Sequence, residues 1–302
     1  MGYLHDDKEQ FQDAIEITYE QTGIMPQIIE KDYYVTMLLR VLAEKIPYIV
    51  FKGGTSLSKC HKVIKRFSED IDITIDTLLS QGQKKRFKQV IVETAEELGL
   101  TIENLNETRS RRDYNRYIIA YESVIPLDSS ALRSAVLLET SYIAVSFPTV
   151  ELLVDSYIGD MMKEEAPQLL EEFQLLPFSM KVQGMDRTLV DKVFAICDYY
   201  LQGNVQKHSR HLYDIYKLFP LVPQDSEFQK LISEVRMVRA QSKVCLSAQS
   251  EKEISMLLRK IIDEGVYKND YDNLTIQLLE EQIPYETVIK TLEEIAASEI
   301  FG

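Results

Sequence analysis

The residues best suited to chemistry are acidic side chains that alternate with isoleucines between positions 70 and 76. Alternate residues of a β-strand share one face, so one face carries the polar residues Asp70, Asp72, Thr74 and Asp76. Asp70 and Asp72 lie roughly 6.5 to 7 Å apart along that face, and they repel each other unless a cation lies between them. Mg²⁺ takes one or two carboxylates and completes its shell with waters and phosphate oxygens. The pattern indicates a divalent-cation site, and the alternative is an edge strand with a solvated acidic face.

A strand and a glycine turn precede this acidic stretch. The apolar run over residues 48–51 predicts a short strand, which leads into Gly53 and Gly54 and then into a helix-compatible segment. Such a turn offers backbone N–H groups to a phosphate, and Thr55 or Ser56 can cap the helix and contact the same phosphate. The Walker A pattern is absent. Together, the turn and the carboxylates predict a nucleoside triphosphate site with its own metal ligands.

Further distinctive segments lie on both sides of this region. In chain order, the segments are Glu30-Lys-Asp-Tyr-Tyr-Val35, Lys52-Gly-Gly-Thr-Ser-Leu-Ser-Lys59 with Arg66-Phe-Ser-Glu-Asp-Ile-Asp-Ile73, Arg187-Thr-Leu-Val-Asp-Lys192 and Ser209-Arg-His-Leu-Tyr-Asp-Ile-Tyr216. Together they resemble the nucleotidyltransferase signature of the AbiEii/AbiGii toxin family, a branch of the polymerase-beta-like nucleotidyltransferase superfamily. The resemblance extends over most of the chain.

The resemblance implies an α+β fold in which a small mixed sheet is flanked by helices and followed by a C-terminal helical domain. Residues 1–165 are assigned to the nucleotidyltransferase domain and residues 166–302 to the helical domain. The helical domain is expected to contribute Lys192, as a contact to nucleotide phosphates, and Asp214, which orients a basic or hydroxyl partner. Relatives commonly carry glutamate where Asp191 stands in this sequence, which is a mild departure from the family pattern.

The nucleotide-binding residues that follow from this resemblance surround the glycine turn. They are Lys52, Gly53, Gly54, Thr55, Ser56, Lys59 and Lys192. Lys31 is a further candidate ligand for phosphate, and the alternative for Lys31 is an ordinary position on a solvated or ion-paired helix surface.

A third acidic residue lies in a later alternating segment, residues 135–147. One face of this predicted strand carries Ala135, Leu137, Glu139 and Ser141. A carboxylate in the middle of an apolar strand is costly to bury without a partner. The superfamily typically places its third metal carboxylate on a strand next to the Asp-x-Asp strand, so Glu139 is the candidate. A charge at a sheet edge is the alternative.

A basic cluster stands out in an otherwise acidic protein. It consists of Arg109, Arg111, Arg112 and Arg116, with Tyr114 and Tyr117 between and beside them. Guanidinium groups pair with phosphates and aromatic rings stack on bases, a combination that suits single-stranded RNA ends. The alternative is a charged hairpin end without a ligand.

The remaining pattern predicts the elements around these residues. Residues 8–45 read as two helices and residues 80–98 as an amphipathic helix, while residues 117–124 alternate like a strand. A connection is predicted over residues 126–133. From Val150 onward the chain reads as almost entirely helical, with helices over residues 188–201 and from Ser209. In the last of these, Asp214 can pair with Arg210 at i,i+4 spacing.

Composition limits the function classes. The chain has 302 residues, of which 45% are apolar, and a formal net charge of −14. This charge argues against nucleic-acid binding over a broad face, so any RNA contact must be local. Cys60, Cys197 and Cys245 are widely spaced and suggest neither disulfides nor a zinc site. Neither a leader pattern nor a membrane span is visible, so a cytoplasmic protein is expected.

The resemblance implies an enzyme that transfers a nucleoside monophosphate from a nucleoside triphosphate to an acceptor, and the expected acceptor is the 3′ end of tRNA. Two Mg²⁺ ions, with Mn²⁺ as the alternative, are expected at Asp70, Asp72 and Glu139. A cognate antitoxin is expected as partner, in a toxin–antitoxin system of the abortive-infection type. Two alternatives stay open: nucleotidyl or phosphoryl transfer to a protein side chain, and non-catalytic nucleotide binding that acts through a partner.

Overall fold

The structure, a computed structural model, describes the chain except for Met1, Phe67, Glu69, residues 126–132 and Gly302, and it leaves the side chains of residues 143 and 144 undescribed. Contacts between Cα atoms divide the chain into two compact units. Unit 1 contains residues 1–60 and 69–182, and unit 2 contains residues 61–68 and 183–302. The division rests on contacts and not on independent folding, so the domain boundary between residues 165 and 166 stays a prediction.

Unit 1 opens with the two predicted helices, α1 (Lys8–Thr22) and α2 (Pro26–Lys45). The side chain of Asp7 caps α1 by accepting a hydrogen bond from the backbone of Gln10. Gly23 ends α1 in the left-handed conformation, with a φ of 69°. Pro26 then starts α2, where the missing N–H of proline costs nothing.

A mixed sheet of seven strands forms the centre of unit 1. The strands are β1 (Ile49–Lys52), β2 (Asp70–Ile75), β3 (Thr101–Ile102), β4 (Tyr114–Ala120), β5 (Ala135–Val145), β6 (Thr149–Val154) and β7 (Phe178–Gln183). Their order is β3-β4-β5-β2-β1-β7-β6. β2 is antiparallel to β1 and parallel to β5, and β4 is antiparallel to β5. The predicted α+β class with a mixed sheet is confirmed.

Helices pack against this sheet because its apolar faces must be covered. In β2, Ile71, Ile73 and Ile75 are buried, as their alternation predicts. The flanking helices after β1 are α3 (Gly53–Lys59), α4 (Gln81–Glu97), α5 (Tyr157–Glu165) and α6 (Leu169–Glu172). Ser80 and Gln83 form a capping box at the start of α4, which sets the beginning of that predicted helix.

The expectation of almost continuous helix from Val150 onward is wrong, because most of β6 and all of β7 lie in this part of the chain. β7 pairs in parallel with β1, through Phe51 and Val182. Such pairing joins segments far apart in the sequence, so local periodicity shows little of it. The predicted connection over residues 126–133 falls, except for Arg133, outside the described residues.

Unit 2 is mainly helical. Its helices are α7 (Met185–Leu201), α8 (Arg210–Leu218), α9 (Ser226–Ala240), α10 (Ile254–Glu264), α11 (Lys268–Asn273) and α12 (Tyr285–Ser298). The segment over residues 61–68 joins them through a β-bridge between Arg66 and Leu279 and a 3.1 Å hydrogen bond from Glu280 N to Lys65 O. Among the described residues, no helix is both long enough and apolar enough to cross a membrane.

Candidate active site

The polar face of β2 carries fewer accessible polar side chains than its sequence pattern predicts. Asp70 and Asp72 are half-buried, whereas Thr74 is buried, with 3% of its surface exposed. Asp76 lies just beyond the strand and forms an ion pair with Lys181. The expected row of four polar side chains is therefore reduced to the two carboxylates of Asp70 and Asp72.

A row of charged residues crosses four neighbouring strands at Asp72. Lys52 on β1 is the Cα partner of Asp72, Asp72 is the partner of Glu139 on β5, and Glu139 is the partner of Arg116 on β4. Partner residues on neighbouring strands share a face, and neighbouring strands lie about 4.8 Å apart. The two acidic residues thus lie side by side between two basic residues. We call Lys52, Asp72, Glu139 and Arg116 the charged row.

Glu139 therefore lies on the strand next to the Asp-x-Asp strand, opposite Asp72. Its Oε1 is 3.7 Å from Arg116 Nε, and the two side chains are 28% and 52% exposed. A pair this long and this exposed contributes little stability, so a cation or substrate can displace Arg116 from Glu139. In the part of the chain that the structure describes, no three His, Cys, Asp or Glu side chains are grouped as metal ligands. The role of Glu139 as third metal carboxylate stays a prediction.

Gly53 lies against Asp72. Its φ is +80°, and a Cβ atom at this position would be 2.0 Å from Asp72 Oδ2, far inside van der Waals contact. Only glycine satisfies both the left-handed backbone and this close approach. The turn and the carboxylate of Asp72 are consequently adjacent, as a site for phosphate beside a metal requires.

Thr55 and Ser56 do not cap α3, contrary to expectation. The helix begins at Gly53, so both residues lie within its first turn, and no side chain caps its start. Thr55 Oγ1 instead donates to Asp70 O at 2.6 Å, and Ser56 Oγ donates to Gly53 O at 2.9 Å. The bond from Thr55 ties α3 to the first residue of β2 and so fixes the turn relative to the carboxylates.

Lys59 and Lys31 are both buried. Lys59 Nζ lies 2.5 Å from Asp32 Oδ1, and Asp32 Oδ2 accepts a 3.0 Å hydrogen bond from Tyr157 N. This ion pair joins α3 to α2. The proposed contacts of Lys59 and Lys31 with phosphate stay predictions.

The two candidates in unit 2, Lys192 and Asp214, contact each other. Asp214 is fully buried, and its Oδ2 accepts from Lys192 Nζ at 2.6 Å. Arg66 also donates to both oxygens of Asp214, from Nε and Nη2, at 2.7 Å each. Burial by itself raises the pKa of Asp214, but attraction to Arg66 and Lys192 outweighs burial and holds this pKa well below its ordinary value. We call Arg66, Lys192 and Asp214 the buried ion cluster.

The expected pairing of Asp214 with Arg210 is wrong, since its partners are Arg66 and Lys192. An i,i+4 pair belongs to an exposed helix surface, whereas Asp214 lies on the buried face of α8. Sequence reasoning missed Arg66 as a site residue. Arg66 is part of the distinctive segment before Asp70, but its partner is 148 residues away in the sequence.

The basic cluster lies at the start of β4. Arg109, Arg111, Arg112 and Arg116 are all exposed. Of the two tyrosines expected to stack on bases, Tyr117 is fully buried and only Tyr114 is exposed, at 47%. Alternation along β4 turns Tyr117 toward the core and leaves Tyr114 on the same face as Arg116.

Polar contacts anchor the loop over residues 108–113, which leads into β4 and carries three arginines of the basic cluster. We call these residues the basic loop. The side chain of Asn115 accepts from Arg109 N at 2.8 Å and donates to Arg109 O at 3.0 Å. Two lysines of α4 reach the loop, where Lys88 donates to Thr108 O at 2.9 Å and Lys84 pairs with Asp113 at 2.7 Å. The loop is thus anchored at several points while its arginines remain exposed.

Comparisons with known proteins identify a family and a similar fold. The sequence profile of the family described as "Nucleotidyl transferase AbiEii toxin, Type IV TA system" matches residues 36–297. Among solved structures, MenT4, a nucleotidyltransferase toxin from Mycobacterium tuberculosis H37Rv, is similar with a TM-score of 0.52 and 14% identity, over 97% of this chain and 89% of that chain. At this identity the likeness concerns the fold alone. No curated protein sequence matches the chain.

Proposed function

The chain belongs to the AbiEii family of nucleotidyltransferase toxins of type IV toxin–antitoxin systems, and from this membership we propose that it transfers a nucleoside monophosphate from a nucleoside triphosphate to the 3′ end of tRNA. The acceptor hydroxyl attacks the α-phosphorus, where a new P–O bond forms. The bond between the α-phosphorus and the bridging oxygen breaks, and pyrophosphate leaves. The hydroxyl proton is released to water.

One observation carries this proposal: Asp72 lies between the glycine turn and Glu139. Gly53 approaches the Asp72 carboxylate more closely than any other residue type could, and Glu139 is the Cα partner of Asp72 on the next strand. The glycine turn and the carboxylates of Asp72 and Glu139 are thus neighbours, with Asp72 in the middle. Nucleotidyl transfer needs these groups together, because the reaction depends mainly on positioning and on charge stabilisation.

Asp70 and Asp72 offer the hard oxygen ligands that a divalent cation takes. Asp70 and Asp72 would hold it, with Glu139 as a third ligand, since Mg²⁺ uses one or two carboxylates together with waters and substrate phosphates. Mn²⁺ has similar ligand preferences and is the alternative ion. When bound, such a cation lowers the pKa of the attacking hydroxyl and neutralises charge on the leaving pyrophosphate.

The other predicted nucleotide-binding residues act through charge and backbone. The N–H groups of residues 53–56 cradle the phosphates, and Lys52 lies beside Asp72 as a positive charge near the triphosphate. In unit 2, the buried ion cluster keeps Asp214 ionised and holds the ammonium of Lys192 in one position. We propose that Lys192 contacts nucleotide phosphates and that Asp214 orients it.

The basic loop supports RNA as the acceptor. Its arginines are exposed on a protein of net charge −14, so they offer a local attraction for phosphate where the rest of the surface repels it.

Family membership implies a cognate antitoxin. We propose that this antitoxin counteracts the enzyme in the cytoplasm, where tRNA and nucleoside triphosphates are found.

The test is incubation of the purified protein with total tRNA, Mg²⁺ and each labelled nucleoside triphosphate in turn, with Asp72→Ala as the control. Label that enters tRNA only when Asp72 is intact supports the proposal and identifies the nucleotide. Label that enters protein instead would replace tRNA by a protein side chain as acceptor. Binding of nucleotide without any transfer would overturn catalysis.

Omission of Mg²⁺, or chelation by EDTA, is expected to stop the transfer.

The loop arginines are expected to set the salt dependence of RNA binding. Each phosphate contact that is lost reduces the slope of log K against log salt by about 0.7 for a single strand. Arg111→Ala combined with Arg112→Ala should therefore flatten the slope by about 1.4 and weaken binding at low salt. Binding of a single-stranded oligoribonucleotide, titrated at several salt concentrations, checks this. Lys230→Ala, another exposed cation, is the control and should leave the slope unchanged.

A further inference from the structure

Tyr114 lies beside the charged row, but neither the nucleotide nor the metal chemistry described above uses it. It is the Cα partner of Ser141, two residues beyond Glu139 on β5, and it shares a face with Arg116. A diagonal neighbour on an adjacent strand is within reach of an aromatic side chain. The ring is also 47% exposed, so core packing does not account for a large aromatic side chain at this position.

Partial burial raises the pKa of Tyr114, and the nearby carboxylate of Glu139 raises it further. The side chain of Tyr114 therefore lies near Glu139, at the end of the charged row. Because 47% of Tyr114 is exposed, part of this residue is open to solvent.

The order of the strands determines from which side of the carboxylates the acceptor approaches. The glycine turn follows β1, whereas Tyr114 lies on β4, and the order β4-β5-β2-β1 places the carboxylates between them. At about 4.8 Å between neighbouring strands, β1 and β4 are about 14 Å apart. In phosphoryl transfer the attacking and leaving oxygens are roughly in line with the phosphorus. With the leaving pyrophosphate over the turn, the acceptor must approach from the side of β5 and β4.

We propose that Tyr114 binds the acceptor by stacking on the terminal unpaired base of an RNA 3′ end, which places the attacking hydroxyl beside Glu139. The proposal rests on the proposed function and names a residue that recognises its acceptor. The exposed arginines of the basic loop, which leads directly into β4 and Tyr114, supply contacts to the preceding phosphates. Stacking on one tyrosine tolerates every base, so selection of the acceptor depends on an accessible single-stranded end and not on its sequence.

RNA binding measured without nucleotide tests the role of Tyr114 separately from the transfer reaction. The probe is a labelled single-stranded oligoribonucleotide that ends in CCA, followed by fluorescence anisotropy. Loss of one base stack weakens binding by about 10-fold or more, so Tyr114→Ala should show this loss while Tyr114→Phe, which keeps the ring, stays within about 2-fold of the wild type. Tyr19→Ala is the matched control, because Tyr19 is 45% exposed on α1. An equal loss for Tyr114→Phe and Tyr114→Ala would assign the contact to the hydroxyl and overturn stacking.

A spectroscopic measurement reports the stack directly. The chain contains no tryptophan, so Tyr114→Trp and Tyr19→Trp each introduce a single indole fluorophore. Added oligoribonucleotide should quench Trp at position 114 and leave Trp at position 19 unchanged. Absence of quenching at position 114, while the wild type still labels tRNA, overturns the role of Tyr114 and leaves the proposed function intact. Absence of labelling in the wild type overturns the tRNA acceptor itself, and this inference with it.

Discussion

Gly53→Ala is expected to reduce nucleotidyl transfer by about 100-fold or more, because a misplacement of about 1 Å at a reacting group costs a factor of this size. The new Cβ would lie 2.0 Å from Asp72 Oδ2 and 2.8 Å from its carboxylate carbon. Either the turn or the carboxylate must move, and both are needed at the triphosphate. The positive φ adds backbone strain of about 1–2 kcal/mol to the variant.

Gly23→Ala separates these two effects. Gly23 has a similar φ of +69°, but nothing lies within 4 Å of the position that a Cβ would take. The alanine at position 23 should therefore lower the free energy of unfolding by about 1 kcal/mol and leave transfer unchanged. Initial rates of label transfer and thermal unfolding of both variants make the comparison. Equal activity of the two alanine variants would show that the contact between Gly53 and Asp72 does not matter to the reaction.

Asp214→Asn is expected to have the largest effect on stability. The substitution removes the carboxylate charge that Arg66 and Lys192 share within the buried ion cluster, and removal of one partner of a buried ion pair costs about 3–5 kcal/mol. Because the pKa of Asp214 is lowered in the folded protein, its contribution is fully present above the ordinary aspartate pKa of about 3.9 and declines as the pH falls further. The difference in unfolding free energy from the wild type should thus be constant near neutral pH and shrink below about pH 4.

Two further variants test whether charge is the cause. Asp272→Asn removes an exposed partner of Lys268 in the same unit and should cost less than about 1 kcal/mol. Lys192→Met in the Asp214→Asn background removes one of the two buried cations beside position 214, so the double variant should recover part of the lost stability. Urea unfolding of the four proteins gives the free energies. A double variant that is less stable than Asp214→Asn alone would contradict the electrostatic explanation.

The sequence alone determined the local parts of this site. Alternation predicted β2, with Asp70 and Asp72 on its polar face and the isoleucines in the core, because a strand permits only this division. The glycine turn after β1 and the helices α1, α2 and α4 were predicted for the same kind of reason, since caps and periodicity act within a few residues. The resemblance of the quoted segments gave the family, which the profile match confirms.

Only the tertiary structure decided which distant residues meet. The register that places Glu139 opposite Asp72 and beside Arg116 depends on the pairing of three strands, and a shift of one residue would turn every side chain to the other face. Likewise, Asp214 takes Arg66 and Lys192 as partners in place of its sequence neighbour Arg210, because its face of α8 is buried. Local sequence patterns predict which helix or strand a segment can form. Contacts between distant segments depend on how the whole chain buries its apolar surface, and local periodicity does not encode this.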